Sequence, residues 1–195
     1  NRVERPVRQR FLVPEDAPFL EIRTTLDSAL PYAEHFHSDF SFGLILAGKT
    51  CFSLEGEKHV AERGDMVLIA PGQAHSCNPF GGVPRSYHMV FIDEAWFRAR
   101  IGSVLGMRDG VSLRKPVIRD AALFARAAGL IEMLDSTAHG AADALADLLL
   151  TLHEQHGCFM PSAGEHRLAS LSPGVTGLPG VVEESEGAPS VSQLA

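Results

Sequence analysis

The sequence that decides the fold is His35-Phe36-His37, followed further along the chain by the stretch Gly64–His75, GDMVLIAPGQAH. In an extended chain, residues two apart point to the same face, so the two histidines of the first stretch are predicted to lie together. The Pro-Gly step inside the second stretch indicates a turn, after which its last residue supplies a third imidazole. The sequence therefore predicts a group of three histidines on a β scaffold.

The first half of the chain contains short runs that are rich in β-branched and aromatic residues, which is typical of strands. These runs cover residues 19–24, 42–46, 50–54, 58–61, 66–69 and 87–92. Glycine-containing turns separate them, including one at Gly48. Many short strands at this spacing predict a sandwich or a barrel.

The second half changes to helical periodicity. Apolar residues recur on one face from Leu123 to Leu134 and again from Leu145 to Leu152. Asp120 precedes the first run as an N-cap, and Gly157 follows the second as a helix-stop signal. Because the connection is short, the two helices are predicted to be antiparallel, and their apolar faces cover the barrel or pair with a second copy.

Composition limits the functional classes. The chain has 195 residues, 45% of them hydrophobic, and a net charge of −7, which argues against broad contact with nucleic-acid phosphates. No apolar stretch is long enough for a membrane span, and no apolar signal-peptide core follows the charged first ten residues. Cys51, Cys77 and Cys158 form no CxxC pair, so we expect reduced thiols and a cytoplasmic location.

The order HFHSDFSFGLILAGKTCFSLEGEKHVAERGDMVLIAPGQAH, followed by RSYHMVFIDEAWF, resembles the N-terminal cupin-like effector-binding domain of AraC-type transcriptional regulators. The resemblance implies a mainly β fold, with a cupin-like jelly-roll barrel in residues 1–110. It further implies a dimerising helical pair in residues 111–159 and a linker in residues 160–180. Residues 181–195 resemble the truncated start of a helix-turn-helix DNA-binding domain.

The histidine group has a metal interpretation and an organic one. His35, His37 and His75, with His88 on a strand expected to line the same barrel, could bind Zn, Ni, Fe or Cu. Cupins that bind a catalytic metal usually have a Glu four residues after the second histidine, and Ser41 occupies that position here. The same imidazoles could instead hydrogen-bond a small polar ligand, or only one another.

The resulting prediction is the ligand-sensing and dimerisation domain of a transcriptional regulator, with no enzyme activity and no cofactor expected. The small-molecule effector is predicted to bind in the barrel to His35, His37, His75 and His88, with Phe42 and Val90 as apolar walls and, from the resemblance, Arg23 or Thr24 as polar contacts. We expect a homodimer through residues 120–157, DNA binding through the C-terminal domain that residues 181–195 would begin, and no membrane contact. The alternatives are a metal-dependent dioxygenase or isomerase, and a dimerisation module with an empty barrel.

Overall fold

The computed structural model of the protein describes residues 8–136 and 140–162. Its strands are β1 (Arg8–Leu12), β2 (Leu20–Ser28), β3 (Phe40–Ala47), β4 (Lys49–Leu54), β5 (Glu57–Glu62), β6 (Met66–Ile69), β7 (His75–Pro79), β8 (Arg85–Ile92), β9 (Val111–Leu113), β10 (Val117–Ile118) and β11 (Phe159–Pro161). Its α-helices are α1 (Glu94–Phe97), α2 (Ala121–Ser136) and α3 (Ala141–His156). All six predicted strand runs are confirmed, as are the two longer helices.

The strands form two sheets that pack face to face, plus a small ribbon. The larger sheet has the order β1-β2-β8-β3-β6-β10, the smaller one has the order β5-β4-β7, and β9 pairs with β11. An inner core between the sheets joins Ile45 and Val67 of the larger sheet to Phe52 of the smaller one. This mainly β arrangement is the predicted cupin-like jelly roll, although the sheets are not closed into one continuous barrel.

The two faces of the larger sheet contact different partners because side chains alternate along each strand. Phe42 and Leu44 of β3 point to the outer face, where they join a core with the helices. Ile45 points to the inner face, toward the smaller sheet. The apolar residues of α3, such as Leu148 and Leu152, are buried in the outer core. The helical pair therefore covers the barrel with its leucine face.

The predicted helix ends are also observed. The Asp120 side chain accepts hydrogen bonds from the backbone N–H groups of Ala122 and Leu123, both at 3.0 Å, and so caps the start of α2. Gly157 ends α3 in the left-handed conformation, with φ of 57°. The start of α2 and the end of α3 therefore lie where the sequence predicts them.

The structure adds strands that the sequence did not indicate. β1 lies in the basic N-terminal stretch and pairs with β2, while β10 joins the larger sheet beyond residue 110, where the barrel was predicted to end. Met160 and Pro161, at the start of the predicted linker, belong to β11.

Residues 163–195, which include the rest of that linker and the predicted DNA-binding start, lie outside the described residues. Among the described helices, none is long and apolar enough to cross a membrane.

Gly48 provides a test of the turn that joins β3 to β4. Its φ is +76°, and a Cβ there would lie 2.7 Å from the carbonyl oxygen of Pro84. Gly56 also has a positive φ, +86°, but a Cβ there would meet nothing within 4 Å. We expect Gly56→Ala to cost about 1–2 kcal/mol of unfolding free energy from backbone strain alone. Gly48→Ala should cost about 1–3 kcal/mol more, because the backbone must also move.

Chemical denaturation of both variants measures this difference. Equal losses of stability would show that the approach of Pro84 to Gly48 does not constrain the turn.

Candidate functional site

The histidine group forms where an extended loop contacts β7. The backbone of His35 pairs with that of His75 through two N–H···O hydrogen bonds, of 2.9 and 2.8 Å. This pairing is an isolated bridge, so the first histidine stretch is extended without belonging to a regular strand. The two histidine rings of this extended stretch nevertheless lie near each other, while Phe36 between them is half exposed.

The three predicted imidazoles come together. The ring centroids of His35 and His75 are 4.4 Å apart, those of His37 and His75 are 4.8 Å apart, and those of His35 and His37 are 6.3 Å apart. His37 and His75 are buried, at 7% and 3% exposure. His35 is exposed, so the group lies at the mouth of the barrel and can be reached from solvent.

Each ring is oriented by a hydrogen bond to a nearby backbone carbonyl. His35 Nδ1 lies 2.9 Å from the oxygen of Ala33, and His37 Nδ1 lies 2.9 Å from that of Asp39. His75 Nδ1 lies 2.8 Å from the oxygen of Gln73. A carbonyl oxygen only accepts, so Nδ1 carries the proton in each ring. In the neutral form, Nε2 is then left as an acceptor.

The two buried rings are neutral at pH 7. Burial lowers the pKa of His37 to about 4, although its hydrogen bond to Asp39 opposes the shift. Burial likewise lowers the pKa of His75 to about 4, with further lowering from the neighbouring His37 and His35. Acceptor nitrogens at the barrel mouth are therefore the expected state across the physiological range.

The inner face around His37 also presents a hydroxyl and an aromatic–cation pair. Ser41 Oγ lies 3.4 Å from His37 Nε2, and Ser41 is fully buried. The ring of Phe91 meets that of His37 edge-on at 5.2 Å, and the Arg23 guanidinium lies 4.5 Å from the Phe91 centroid. Arg23 also forms an ion pair with Glu21. The predicted polar contact Arg23 is thus close to the histidine group.

The expectation that His88, Phe42 and Val90 line the same space as the three histidines is wrong. These residues lie on the outer face of the larger sheet, where Phe42 and Val90 belong to the core shared with the helices. Thr24 lies on that face too, opposite His88, and the distance from its Oγ1 to His88 Nδ1 is 2.9 Å. Strand parity separates them, because Tyr87, Met89 and Phe91 of β8 take the inner positions.

Arg85 is an inner-face residue that the sequence analysis missed. It is only 1% exposed, and its guanidinium donates to the carbonyl oxygens of Cys77, at 2.6 Å, and Leu30, at 3.4 Å. The rings of Tyr87 and Tyr32 lie 5.0 and 6.0 Å from it. In residues 8–136 and 140–162 it has no carboxylate partner, so a positive charge remains inside the barrel. The only sequence signal was an arginine at the start of an apolar strand.

A metal site would require several ligand side chains to converge on one point. Within the part of the chain that the structure describes, no group of three or more His, Cys, Asp and Glu side chains is arranged to hold a metal ion. Ser41 stands beside His37 and supplies a hydroxyl in place of a carboxylate. The three imidazoles are nevertheless ligand types that Zn, Ni, Cu and Fe accept.

The neutral buried histidines predict a pH-dependent stability. The unfolded chain binds these protons near the ordinary pKa of 6.5, whereas folded His37 and His75 bind them only near pH 4. Stability is therefore fully present above pH 6.5 and falls as the pH drops toward 4. The two groups together should contribute on the order of 2–4 kcal/mol of this loss.

Denaturant unfolding near pH 7.5 and near pH 4.5 measures this loss, since the linear extrapolation gives the free energy at each pH. The difference between the two should shrink in a His37→Gln/His75→Gln variant but not in His59→Gln, which changes a partly exposed histidine on β5. An unchanged pH dependence in the double variant would show that these two rings do not control it.

Comparisons with known proteins identify the family. The family model described as AraC-like ligand binding domain matches residues 28–153. The solved structures that resemble the chain include a cupin 2 conserved barrel domain protein from Salinispora arenicola, with 20% identity, a TM-score of 0.40 and coverage of 48% of this chain and 82% of that one.

Two further similar structures have even lower sequence identity. An RmlC-like cupin family protein with a double-stranded β-helix fold from Methanocaldococcus jannaschii has 14% identity, a TM-score of 0.39 and coverage of 48% and 86%. An oxalate decarboxylase variant from Bacillus subtilis has 16% identity, a TM-score of 0.39 and coverage of 54% and 34%. The comparison with curated proteins found no match. The family model matches more than half of the chain, and the chain therefore belongs to the family of AraC-like ligand binding domains.

Proposed function

We propose that this chain is the effector-sensing and dimerisation domain of a DNA-binding transcriptional regulator, and that it binds a small organic molecule at the barrel mouth. The observation that carries the proposal is the convergence of His35, His37 and His75, each held by a backbone carbonyl through Nδ1. Membership of the ligand-binding family supports it. Phe91 and Arg23 add an aromatic face and a charge beside the histidines.

The chemistry of this group defines the effector that it suits. Neutral rings with a protonated Nδ1 present Nε2 as an acceptor, so the complementary ligand carries O–H or N–H donors. Ser41 can either donate or accept through its hydroxyl. We therefore propose an effector with hydroxyl or amine groups directed at His37 and His75, entering past the exposed His35.

The proposed mechanism is a change in equilibrium and requires no bond to be broken. An effector that binds one arrangement of the barrel mouth more tightly than another shifts the population toward that arrangement. The linker then passes the change to a DNA-binding domain, and the two sites are coupled only by the difference in effector affinity between the states.

We further propose that the domain forms a homodimer through residues 120–157. Leu145, Leu148, Leu149 and Leu152 cannot form the interface, because they are buried within the chain against the sheet. The dimer contact would instead use the rest of the helical surface, which includes the partly exposed Phe124 of α2 and Leu150 of α3 at the edge of the core. DNA binding would belong to the helix-turn-helix domain predicted after the linker.

A thermal-shift screen against small molecules that contain hydroxyl and amine groups tests the effector proposal. A ligand that binds only the folded state raises the Tm with increasing concentration by mass action, and about 100-fold excess over Kd adds about 2.7 kcal/mol. The shift should be lost in His37→Gln/His75→Gln and kept in His59→Gln. A hit whose shift survives the double substitution would contradict the assignment of the histidine group as the effector site.

Metal-dependent enzyme activity is the second candidate, and one observation favours it. Histidines that bind metals usually donate their other ring N–H to a carbonyl or carboxylate, which is how all three rings are held here. His35, His37 and His75 would supply the nitrogen ligands through Nε2. A bound Zn, Ni, Fe or Cu ion would supply a Lewis acid or, for Fe and Cu, a redox centre.

Element analysis of the purified protein distinguishes the two functions. The enzyme proposal predicts about one metal ion per chain, lost in His75→Ala and retained in His59→Ala. Metal far below that ratio after growth in metal-supplemented medium would contradict it and would leave the effector proposal intact.

A further inference from the structure

A cavity of about 420 Å³ lies on the opposite face of the larger sheet from the histidine group. Its floor is formed by β2 and β8, one wall by β1, and the other wall by α2. This volume falls in the range of small-molecule sites, which are about 300–1,000 Å³. The cavity is therefore large enough for a ligand of amino-acid size.

The floor of the cavity is mostly apolar. Ile22 and Leu26 of β2 face Ile131 of α2, with Leu12 of β1 at the side. The polar part of the floor is the Thr24–His88 pair, joined at 2.9 Å. Burial lowers the pKa of His88, although Glu132 opposes the shift, and this favours the neutral ring. The floor thus suits an apolar group beside one hydrogen-bonding contact.

The rim carries charges of opposite sign on its two walls. Arg10 of β1 forms an ion pair with Asp135 of α2, and this pair spans the space between the walls. Arg8 adds a second positive charge on the β1 wall, and Glu132 adds a second negative charge on the α2 wall. With Arg10 and Asp135 neutralising each other, the remaining field is positive at one wall and negative at the other.

We propose that this cavity is a second small-molecule site, and that it binds a zwitterion with an apolar side group, the class to which free amino acids belong. The ligand carboxylate would contact Arg8, its ammonium would contact Glu132, and its apolar group would lie on Ile22 and Leu26. Opposite charges on facing walls favour a dipolar ligand over a simple anion or cation, since either ion leaves one wall uncompensated.

The site goes beyond the effector function proposed for the histidine group, and it does not depend on it. Thr24 and His88 point to the outer face, whereas His37 and His75 lie at the inner mouth. Because the ligand would contact both β1 and α2, it would stabilise the contact between the first strand and the helical pair. Binding here would therefore favour the arrangement in which β1 is paired with the sheet.

Isothermal titration with L-leucine, L-phenylalanine and L-tryptophan tests the proposal, using the decarboxylated amine and the deaminated acid of each as matched probes. At least one amino acid should bind about tenfold or more tightly than both of its analogues, because each analogue lacks one charged contact. Glu132→Gln should remove the preference over the acid, and Arg8→Gln should remove the preference over the amine.

Control variants show whether amino acids bind at this cavity or elsewhere on the protein. Glu154→Gln on α3 and Arg114→Gln change exposed charges away from the cavity and should leave each affinity unchanged. The His37→Gln/His75→Gln variant should also bind normally, so the test is independent of the effector proposal. Binding of none of the three amino acids, equal binding of the analogues, or unchanged affinities in both Glu132→Gln and Arg8→Gln would overturn it. Loss of binding only in the histidine variant would assign the ligand to the barrel mouth instead.

Discussion

The alternation of side chains across the larger sheet is the constraint on which the rest of the structure depends. Phe42 and Val90 pair across β3 and β8 on the outer face, and their neighbours Gly43 and Met89 pair on the inner face. Most of the outer face is apolar and is covered by the helices, which removes a large hydrophobic surface from water. The inner face can then carry polar groups at the barrel mouth, since the helical core supplies much of the buried apolar area. A shift of one residue between β3 and β8 would exchange these two environments.

Within that framework, the histidine group is fixed by backbone hydrogen bonds more than by side-chain packing. The His35–His75 bridge holds the loop against β7, and the local carbonyls orient the three rings. Burying a neutral imidazole is far less costly than burying an imidazolium, and its N–H is already satisfied by a carbonyl. The rings are therefore preorganised, with the protein bearing the cost of burial before any ligand arrives. A ligand that displaces water from such a group loses little further side-chain entropy on binding.

The sequence predicted the positions of strands and helices better than it predicted which face of the sheet each side chain occupies. The HxH stretch and the stretch ending at His75 were grouped correctly because parity within one segment and a turn signal are local properties. The placement of His88 failed because it depends on how β8 pairs with β3. Both faces of β8 are largely apolar, so no polar–apolar alternation marks the inner one. β1 was missed for a different reason: it is an edge strand whose residues are mostly exposed, and its arginines look like those of a solvated terminus.

The two faces are nevertheless linked through β2, which contributes Arg23 to the inner side and Thr24 to the outer side. A closely packed sheet does not deform continuously, so a ligand on one face affects the other only through an element with two discrete arrangements. β1 is the described strand that touches both faces at the sheet edge. It pairs with β2 along one edge, Arg23 contacts the ring of Phe11 at 5.4 Å, and Arg10 is ion-paired to Asp135 of α2. The side chains of Arg10 and Phe11 are largely exposed, so these two contacts are individually weak. A change in the pairing of β1 with β2 would therefore alter the surroundings of both faces at once.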